Sequence, residues 1–402
     1  MIKLFRRIRR STAALVTCLL IPGVLFAGAG TATAVDTPIV TGAVFNNPKG
    51  TTDEKNAVKN HIIDAINKTQ SGRLIRAAMY ALTDEDYTNA LIAAYNKGVN
   101  VRVVLDGKYV TTGSTADDLR NVLGTDTSKS SWVTVCGTGT DDLACIGTGN
   151  NALNHNKFFL FSRVGGVVGE GEDVVIQASA NQTSANTQKY FNNAYTVVGN
   201  TALYTAYVGY FNDLAAQVKN SNYYKTGYAD SLKYYFFPQG SGDVMADFVN
   251  NVSCTGNSTV GTANGHKSII RVAASMFFNR PAVRDALVAR ANEGCSVQIV
   301  YAEADASYVS TLKRHANITL KQLYDLNTDG TVKYQVHSKY LLVEGNYAGH
   351  PDTYWTFMGS HNLDLSSLRE NDEALLRIDG ATAHNAYAAN FATLLANASS
   401  PS

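Results

Sequence analysis

Two short stretches decide how this chain folds: NHNKFFLFSR at residues 154–163 and VHSKYLLVEG at residues 336–345. Each places a histidine two residues before a lysine, at the start of an apolar run. Side chains repeat with a period of two along a β-strand, so His155 and Lys157 share one side of it, as do His337 and Lys339. The two runs predict buried strands that begin with the same pair of polar side chains.

The segments around these stretches also occur twice. GRLIRAAMYAL (72–82) predicts a buried strand, and a helical pattern then ends at Gly98 before another strand. SIIRVAASMFF (268–278) begins the second copy, in which Gly294 ends the helix. A strand, a helix and a strand joined by short turns form a βαβ unit, whose strands are parallel. After each His-x-Lys stretch, a further apolar run ends in Ser-x-Asn, at residues 179–181 and 360–362.

This duplication predicts an α/β fold of two similar lobes, built mostly of parallel βαβ units and related by a pseudo-twofold axis. We place the N-terminal lobe at residues 35–230 and the C-terminal lobe at residues 231–402. Residues 109–150 are rich in Gly, Thr, Ser and Asp, and they predict a long loop inserted into the first lobe.

The first 34 residues are predicted to be a signal peptide and not part of the fold. Five basic residues precede an apolar stretch, and the small residues TATA stand before Val35. The chain has 34 basic and 33 acidic residues, so loss of this segment leaves 29 and 33, a net charge of −4. Such a composition does not indicate a basic face for a polyanion. We therefore expect a secreted protein.

Four cysteines remain after the signal peptide: Cys136, Cys145, Cys254 and Cys295. An even number in an exported chain favours two disulfides, and closeness in sequence favours Cys136–Cys145 and Cys254–Cys295 among the three possible pairings. A zinc site is the alternative, but neither CxxC nor HxxxH spacing supports it.

The paired motifs have the chemistry of phosphoryl transfer. Lysine and asparagine donors suit the non-bridging oxygens of a phosphoryl group, and of two histidines one can attack phosphorus while the other protonates the leaving oxygen. Because the lysines supply positive charge, no metal or other cofactor is expected. The candidate catalytic and phosphate-binding residues are His155, Lys157, Ser179 and Asn181, with His337, Lys339, Ser360 and Asn362 in the second copy.

These stretches resemble the HxKxxxxD motifs of the phospholipase D superfamily, each continued by G/A-S-x-N. GSHNLDLSSLRENDEALL (359–376) is also similar to the family's GSxNLD…NxE pattern, with Glu373 in the position of its carboxylate. The resemblance implies two α/β lobes with the active site at their interface, and a covalent phosphohistidine. The resemblance also implies that Glu373 is a catalytic residue. The motif acid is replaced by Ser162 and Glu344, which implies weakened support for the motif and not loss of chemistry.

The two copies differ in the residue that could orient each histidine. Asn192 stands thirteen residues after Ser179, where Glu373 stands thirteen residues after Ser360. We expect Glu373 to accept a hydrogen bond from His337, and Asn192 to orient His155. In the two-motif phospholipases that the chain resembles, the first-motif histidine usually attacks, so His155 is predicted to be the nucleophile.

The remaining histidines lie outside this constellation. His361, between Ser360 and Asn362, is expected to point away from the pocket. Five others are expected at the surface: His61, His266, His315, His350 and His384.

Three functions remain open at this point. The first is a secreted phosphodiesterase of the phospholipase D type that hydrolyses, or transfers, phospholipid head groups at a membrane or vesicle surface, as a monomer. The second is a metal-independent nuclease of the same superfamily, and the third is a degenerate member that only binds phosphate. The net charge favours lipid over nucleic acid, because tight nucleic-acid binding needs several Lys or Arg contacts.

Overall fold

The computed structural model describes residues 38–137 and 142–401, and the predicted signal peptide lies outside these ranges. The first half contains strands β1 (Gly42–Phe45), β2 (Leu74–Met79), β3 (Asn100–Asp106), β4 (Trp132–Cys136), β5 (Asp142–Leu143), β6 (Ala152–Leu153), β7 (Lys157–Arg163), β8 (Glu172–Ala178), β9 (Tyr190–Phe191) and β10 (Asn193–Val197). Its helices are α1 (Thr52–Lys68), α2 (Glu85–Asn96), α3 (Thr115–Leu123), α4 (Ser184–Gln188) and α5 (Thr201–Ala216).

The second half repeats these elements with a few additions. Its strands are β11 (Lys225–Ala229), β12 (Leu232–Phe236), β13 (Val252–Ser253), β14 (Ile269–Phe278), β15 (Ser296–Ala304), β16 (Ile318–Gln322), β17 (Tyr324–Leu326), β18 (Val332–Val336), β19 (Tyr340–Tyr347), β20 (His350–Gly359), β21 (Leu363–Asp364) and β22 (Ala374–Asp379). Its helices are α6 (Val244–Asn250), α7 (Pro281–Asn292), α8 (Ala306–Leu312), α9 (Leu365–Arg369) and α10 (Ala381–Asn397).

The strand orders of the two large sheets confirm the duplication. The first sheet runs β1-β10-β8-β7-β2-β3-β4, and the second contains β12-β22-β20-β19-β14-β15-β16 in the equivalent order. Both predicted βαβ units are present, with β2 parallel to β3 and β14 parallel to β15. The α/β fold of two similar halves is therefore confirmed.

Parallel pairing is confined to one side of each sheet. The His-x-Lys strands β7 and β19 run antiparallel to β2 and β14, and each pairs antiparallel with the strand that follows it. The connections from β7 to β8 and from β19 to β20 are short, and a short connection between neighbouring strands imposes antiparallel pairing. Each large sheet is therefore mixed, and the predicted parallel pairing holds only for the βαβ side.

Two central helices join the halves. Helix α5 contacts β7 and β8 of the first sheet and β11 and β12 of the second, while α10 contacts β20, β22 and β1. Tyr207, Tyr210 and Phe211 of α5 and Tyr387 of α10 are buried in one core that includes residues of both sheets. A helix that is apolar on most of its sides can be buried between two layers. The other helices cover the outer faces, where each half has a separate core.

The predicted loop at residues 109–150 is wrong in its first part. This segment contains helix α3 and strand β4, the edge strand of the first sheet. Ser114 caps α3 through its hydroxyl, and Leu119 and Leu123 bury its apolar side. Its many polar residues lie on the exposed side of a short helix and in turns. The polar composition therefore hid the fact that α3 and β4 are the first-half counterparts of α8 and β16.

The boundary predicted at residue 230 lies within a hairpin of the second sheet. Strands β11 and β12 pair antiparallel around it, and both belong to the larger sheet. By sheet membership, the second half begins at or before Lys225. In the described part of the chain, no helix is both long and apolar enough to cross a membrane.

Both predicted disulfides are present. Cys136 is bonded to Cys145 and Cys254 to Cys295, with sequence separations of 9 and 41 residues. The second bridge ties the residue that follows β13 to the residue that precedes β15. In the chain-entropy model, a disulfide destabilises the unfolded state more when it closes a longer loop.

We expect the double substitution of Cys254 and Cys295 by Ala to lower the free energy of unfolding by about 4 kcal/mol, and that of Cys136 and Cys145 by about 3 kcal/mol. Urea unfolding followed by circular dichroism measures both values. Equal unfolding midpoints for the two variants and the parent chain would contradict the expectation.

Candidate active site

The two histidines are held by backbone hydrogen bonds that cross between the halves. The backbone N–H of His155 donates to the carbonyl of Asp372 at 3.0 Å, and the N–H of His337 donates to the carbonyl of Phe191 at 2.9 Å. Each histidine precedes the strand of its own half and is tied to a strand end of the other. The site therefore lies at the predicted interface of the two halves, and backbone hydrogen bonds join the halves there.

The side-chain hydrogen bonds cross in the same way. Nδ1 of His155 lies 2.8 Å from Oε1 of Glu373, and Nδ1 of His337 lies 2.8 Å from Oδ1 of Asn192. The prediction that Glu373 supports His337 and Asn192 supports His155 is wrong. Closeness in sequence suggests that each histidine is oriented by a residue of its own copy. The pseudo-twofold packing instead places each orienting residue beside the histidine of the other copy. In both rings this leaves Nε2 as the nitrogen that can react.

The two motif serines hold these orienting residues. Ser179 Oγ donates to Asn192 Oδ1 at 2.9 Å, and Ser360 Oγ donates to Glu373 Oε2 at 2.5 Å. Each hydroxyl also accepts a backbone N–H, from Asn193 or from Ala374. Both serines are fully buried. They therefore position the group behind a histidine, and their predicted contact with phosphate stays a prediction.

The two lysines are also fully or almost fully buried. Nζ of each donates to the backbone carbonyl of its own motif histidine at 2.6 Å. Burial lowers the pKa of Lys157 to about 7, against the opposing charges of Glu373 and Asp106. Burial, together with the charge of Lys157, lowers the pKa of Lys339 well below its ordinary value. A bound anion would stabilise both ammonium groups.

The imidazole pKa values reflect the unequal partners. Burial lowers the pKa of His155, and the charge of Glu373 opposes this. Burial and the charges of Lys339 and Lys157 lower the pKa of His337 well below its ordinary value. Burial raises the pKa of Glu373, but His155 and Lys157 outweigh it and hold this pKa at about 2. Near pH 7 the site therefore contains an ionised Glu373 beside a neutral His155.

The two predicted amides belong to Asn181 and Asn362. Nδ2 of Asn362 is 3.7 Å from Sδ of Met276, and the buried Oδ1 atoms of Asn181 and Asn362 have no hydrogen-bond partner among the described residues. Their binding of phosphate stays a prediction. No group of three or more His, Cys, Asp or Glu side chains in residues 38–137 and 142–401 is placed to hold a metal ion.

The two residues at the position of the motif acid make their contacts away from the histidines. Ser162 Oγ accepts the backbone N–H of Leu74 at 3.0 Å, and Glu344 pairs with Arg271 at 3.1 Å. Both contacts tie the far part of the His-x-Lys strand to the neighbouring βαβ strand. These residues support the strand that carries the motif.

The other histidines divide between surface and interior. His266 and His350 are exposed, as predicted, and His61 and His315 are half-buried. The prediction for His384 is wrong, because α10 buries it against the ring of Tyr354. His361 packs 4.5 Å from the ring of Phe237 and lines a cavity of about 20 Å³.

Sequence reasoning missed Asp372, which anchors the segment after the first disulfide. Its carboxylate accepts the backbone N–H groups of Cys145 at 2.6 Å, Ile146 at 3.1 Å and Gly147 at 2.7 Å. Burial raises its pKa to about 7, although these three donors favour the charged form. The only signal in the sequence was its place beside Glu373, in the run NDE.

A family model described as "Cardiolipin synthase, PLD-like domain" matches residues 62–215 and 262–395. The chain belongs to the phospholipase D superfamily. It is therefore an enzyme of the phosphodiesterase or phosphotransferase kind. No curated protein sequence gives a significant match to it.

Solved structures share the fold at low sequence identity. Phosphatidylserine synthase from Haemophilus influenzae Rd KW20 is 13% identical with a TM-score of 0.60, over 89% of this chain and 87% of the other. Polyphosphate kinase from Porphyromonas gingivalis is 11% identical with a TM-score of 0.55, over 88% of this chain. The match spans half of the kinase. At such identities the likeness concerns the fold alone.

We expect Asp372→Asn to lower the free energy of unfolding by about 2–3 kcal/mol, because an amide N–H₂ would face backbone donors that now meet a carboxylate. Turnover should also fall, since Asp372 adjoins the residue that holds His155. Urea unfolding and a phosphodiester assay measure the two effects. The control is Asp285→Asn, an exposed carboxylate on α7. A stability equal to that of the control would show that the three hydrogen bonds contribute little.

Proposed function

We propose that the chain is a secreted phosphodiesterase that hydrolyses phospholipid head groups through a phosphohistidine, with transfer to an alcohol as a second outcome. The crossed arrangement of the two His-x-Lys motifs carries the proposal. It gives two imidazoles, each oriented through its Nδ1 atom, beside two buried lysine side chains. A bound phosphodiester supplies the negative charge that stabilises the ammonium groups of the two lysines.

The reaction proceeds in two displacements. Nε2 of His155 forms a bond to phosphorus while the bond from phosphorus to the head-group oxygen breaks, and His337 gives its Nε2 proton to that oxygen. Water then attacks phosphorus, the phosphorus–nitrogen bond breaks, and His337 takes a proton from the water. An alcohol in place of water gives transfer. Lys157, Lys339, Asn181 and Asn362 stabilise the phosphoryl oxygens.

The crossed partners support this division of roles. A phosphorylated imidazole carries positive charge, which the carboxylate of Glu373 stabilises behind His155. Asn192 fixes the tautomer of His337 without adding negative charge, so His337 remains the stronger acid of the two when it is protonated. The negative charge of bound substrate favours that protonation.

Lipid is the preferred substrate because of charge and compartment. The mature chain has a net charge of −4, which does not favour the backbone of a nucleic acid. Two disulfides fit an extracellular protein, and the basic, then apolar, N-terminal sequence fits an export signal. We propose that the enzyme acts as a monomer at a membrane or vesicle surface.

We expect the purified chain to release head groups from phospholipid vesicles, and to hydrolyse a soluble phosphodiester in excess EDTA, because Lys157 and Lys339 supply the positive charge. His155→Ala and His337→Ala should each lower turnover about 10³-fold or more. The exposed His266→Ala is the matched control. Activity that requires an added divalent ion, or loss with only one of the two active-site substitutions, would contradict the mechanism. Cleavage of single-stranded DNA without cleavage of vesicles would make the enzyme a nuclease.

Asn192→Asp tests the assignment of the two histidines. A carboxylate behind His337 raises its pKa, so a proton donor there stays protonated to higher pH, and the alkaline limb of the kcat profile should move up by about one pH unit. Asn385→Asp, beside His384 and away from the site, is the control. An upward shift of the acidic limb instead would make His337 the nucleophile.

A further inference from the structure

Two arginines of the first half lie directly opposite each other without a counter-charge. Arg76 of β2 pairs with Arg102 of β3 in the parallel register, so both side chains point to the same face of the sheet. Both are half-buried. The side chain of Arg76 donates to the hydroxyl of Tyr204 on α5 at 3.3 Å, and that of Arg102 donates to the carbonyl of Ser130 at 3.1 Å. Neither guanidinium forms an ion pair with another described residue.

The second half neutralises the corresponding arginine within the chain. Arg271 of β14 is the counterpart of Arg76, since each lies opposite the leucine that follows its motif lysine by three residues. Nε of Arg271 donates to Oε1 of Gln298, and its Nη1 donates to Oε2 of Glu344, both at 3.1 Å. An amide and a carboxylate from the two neighbouring strands therefore hold this guanidinium.

The first half has lost that carboxylate and gained a positive charge. Arg102 stands in the position of Gln298, because each pairs with the arginine of the preceding strand. Ser162 stands in the position of Glu344, five residues after the motif lysine, and its hydroxyl accepts the backbone N–H of Leu74 at 3.0 Å. Equal charges directly across neighbouring strands repel each other. The first half therefore keeps two guanidinium groups with no carboxylate in the place of Glu344.

One donor of Arg76 also has no acceptor. Its Nε atom is buried and has no hydrogen-bond partner in the described part of the chain, whereas the same atom of Arg271 binds Gln298. Burial lowers the pKa of Arg76, and the charge of Arg102 lowers it further, against the opposing effect of Tyr204. Buried donors are normally hydrogen-bonded, so the unpaired Nε indicates a missing acceptor beside Arg76.

A carboxylate on the same helix end does not fill this place. Oδ2 of Asp173 accepts the hydroxyl of Thr201, which stands one turn before Tyr204 on α5, at 2.6 Å. Asp173 forms no ion pair with either arginine. It is held by the helix and leaves the two guanidinium groups without a counter-charge.

The two arginines lie apart from the catalytic site. Met79, at the end of β2, pairs with Lys157 of the first motif, and Arg76 lies three residues earlier, about 10 Å along the strand. Ser162 follows Lys157 by five residues, which is about 16 Å along β7. A ligand of the arginines is therefore separate from a substrate of the motif lysines.

We propose that Arg76 and Arg102 bind a small soluble oxyanion of the phosphate class, such as inorganic phosphate or a phosphate monoester, in the place that Glu344 occupies in the second half. Guanidinium groups donate paired hydrogen bonds to phosphate oxygens in the geometry that they use for a carboxylate. Because both arginines are half-buried beside α5, a small anion can reach them and the surface of a bilayer cannot. The site does not depend on the proposed catalytic function.

The fluorescence of Trp132 reports binding at this site, because the Arg102 guanidinium lies 6.0 Å from the centre of the Trp132 ring. The chain contains two tryptophans, so the Trp355→Phe variant leaves Trp132 as the only one. In this background, inorganic phosphate added against chloride at constant ionic strength should change the emission in a saturable way. Arg102→Gln, which gives β3 the residue of β15, should weaken binding about tenfold or more.

A carboxylate supplied by the chain gives the sharper test. Ser162→Glu should abolish the phosphate response, because the side chain then occupies the place that Glu344 has in the second half. Ser162→Ala adds no charge and should retain the response. Circular dichroism checks that each variant is folded.

Two control variants separate this site from other cationic groups. Arg284→Gln removes an arginine of α7 in the second half, and Lys339→Met removes a lysine of the catalytic site. Both should leave the phosphate response of Trp132 unchanged. Loss of the response with Lys339→Met would assign it to the catalytic site and overturn the proposal.

The remaining outcomes are equally direct. No phosphate-dependent change in a folded Trp355→Phe chain, or an equal change after Ser162→Glu, would overturn the proposal. Glycerol 3-phosphate should act as inorganic phosphate does, whereas vesicles that contain phosphatidate should have no effect. A response to phosphatidate vesicles and to neither soluble phosphate would show that the ligand is a lipid, and it would overturn the proposal as well.

Discussion

The structure depends on hydrogen bonds that cross between its halves. Each motif histidine takes its backbone acceptor and its orienting side chain from the other half: Asp372 and Glu373 for His155, Phe191 and Asn192 for His337. Neither half could orient its own imidazole, because the residue that would do so is turned toward the opposite ring. The duplication is therefore not two sites side by side but one site that needs both copies.

Several features of the fold serve this crossing. The apolar helices α5 and α10 lie between the two sheets and fix how far apart the strand ends stand. The hydroxyl of Tyr210 on α5 donates to the backbone carbonyl of Glu373 at 3.2 Å, so a core side chain directly holds the residue behind His155. Asp372 ties the segment after the first disulfide to the same strand end. The neighbouring residues Asp372 and Glu373 thus connect helix α5, the disulfide-bonded segment and the carboxylate that orients His155.

The symmetry is broken where chemistry requires two different groups. A carboxylate behind one imidazole and an amide behind the other give two rings of the same type different proton affinities. The aromatic surroundings differ as well, since a T-shaped contact with Tyr80 adjoins His155 whereas the Tyr190 ring is stacked on His337. Unequal surroundings of paired titratable groups are a common basis for separate acid and nucleophile roles.

The sequence by itself determined the repeat, the βαβ units and the residue types of the site, because apolar periodicity, glycine helix ends and motif spacing are local properties. It favoured one disulfide pairing among three, and the structure decided it. It also showed that Asn192 and Glu373 are equivalent positions. Only the tertiary structure decided which histidine each of them supports, since that depends on how two similar sheets pack across a pseudo-twofold axis. The roles of Asp372, of Tyr190 beside His337 and of α3 within a polar segment were hidden for the same reason. Each depends on contacts between residues distant in the chain, and no local pattern encodes them.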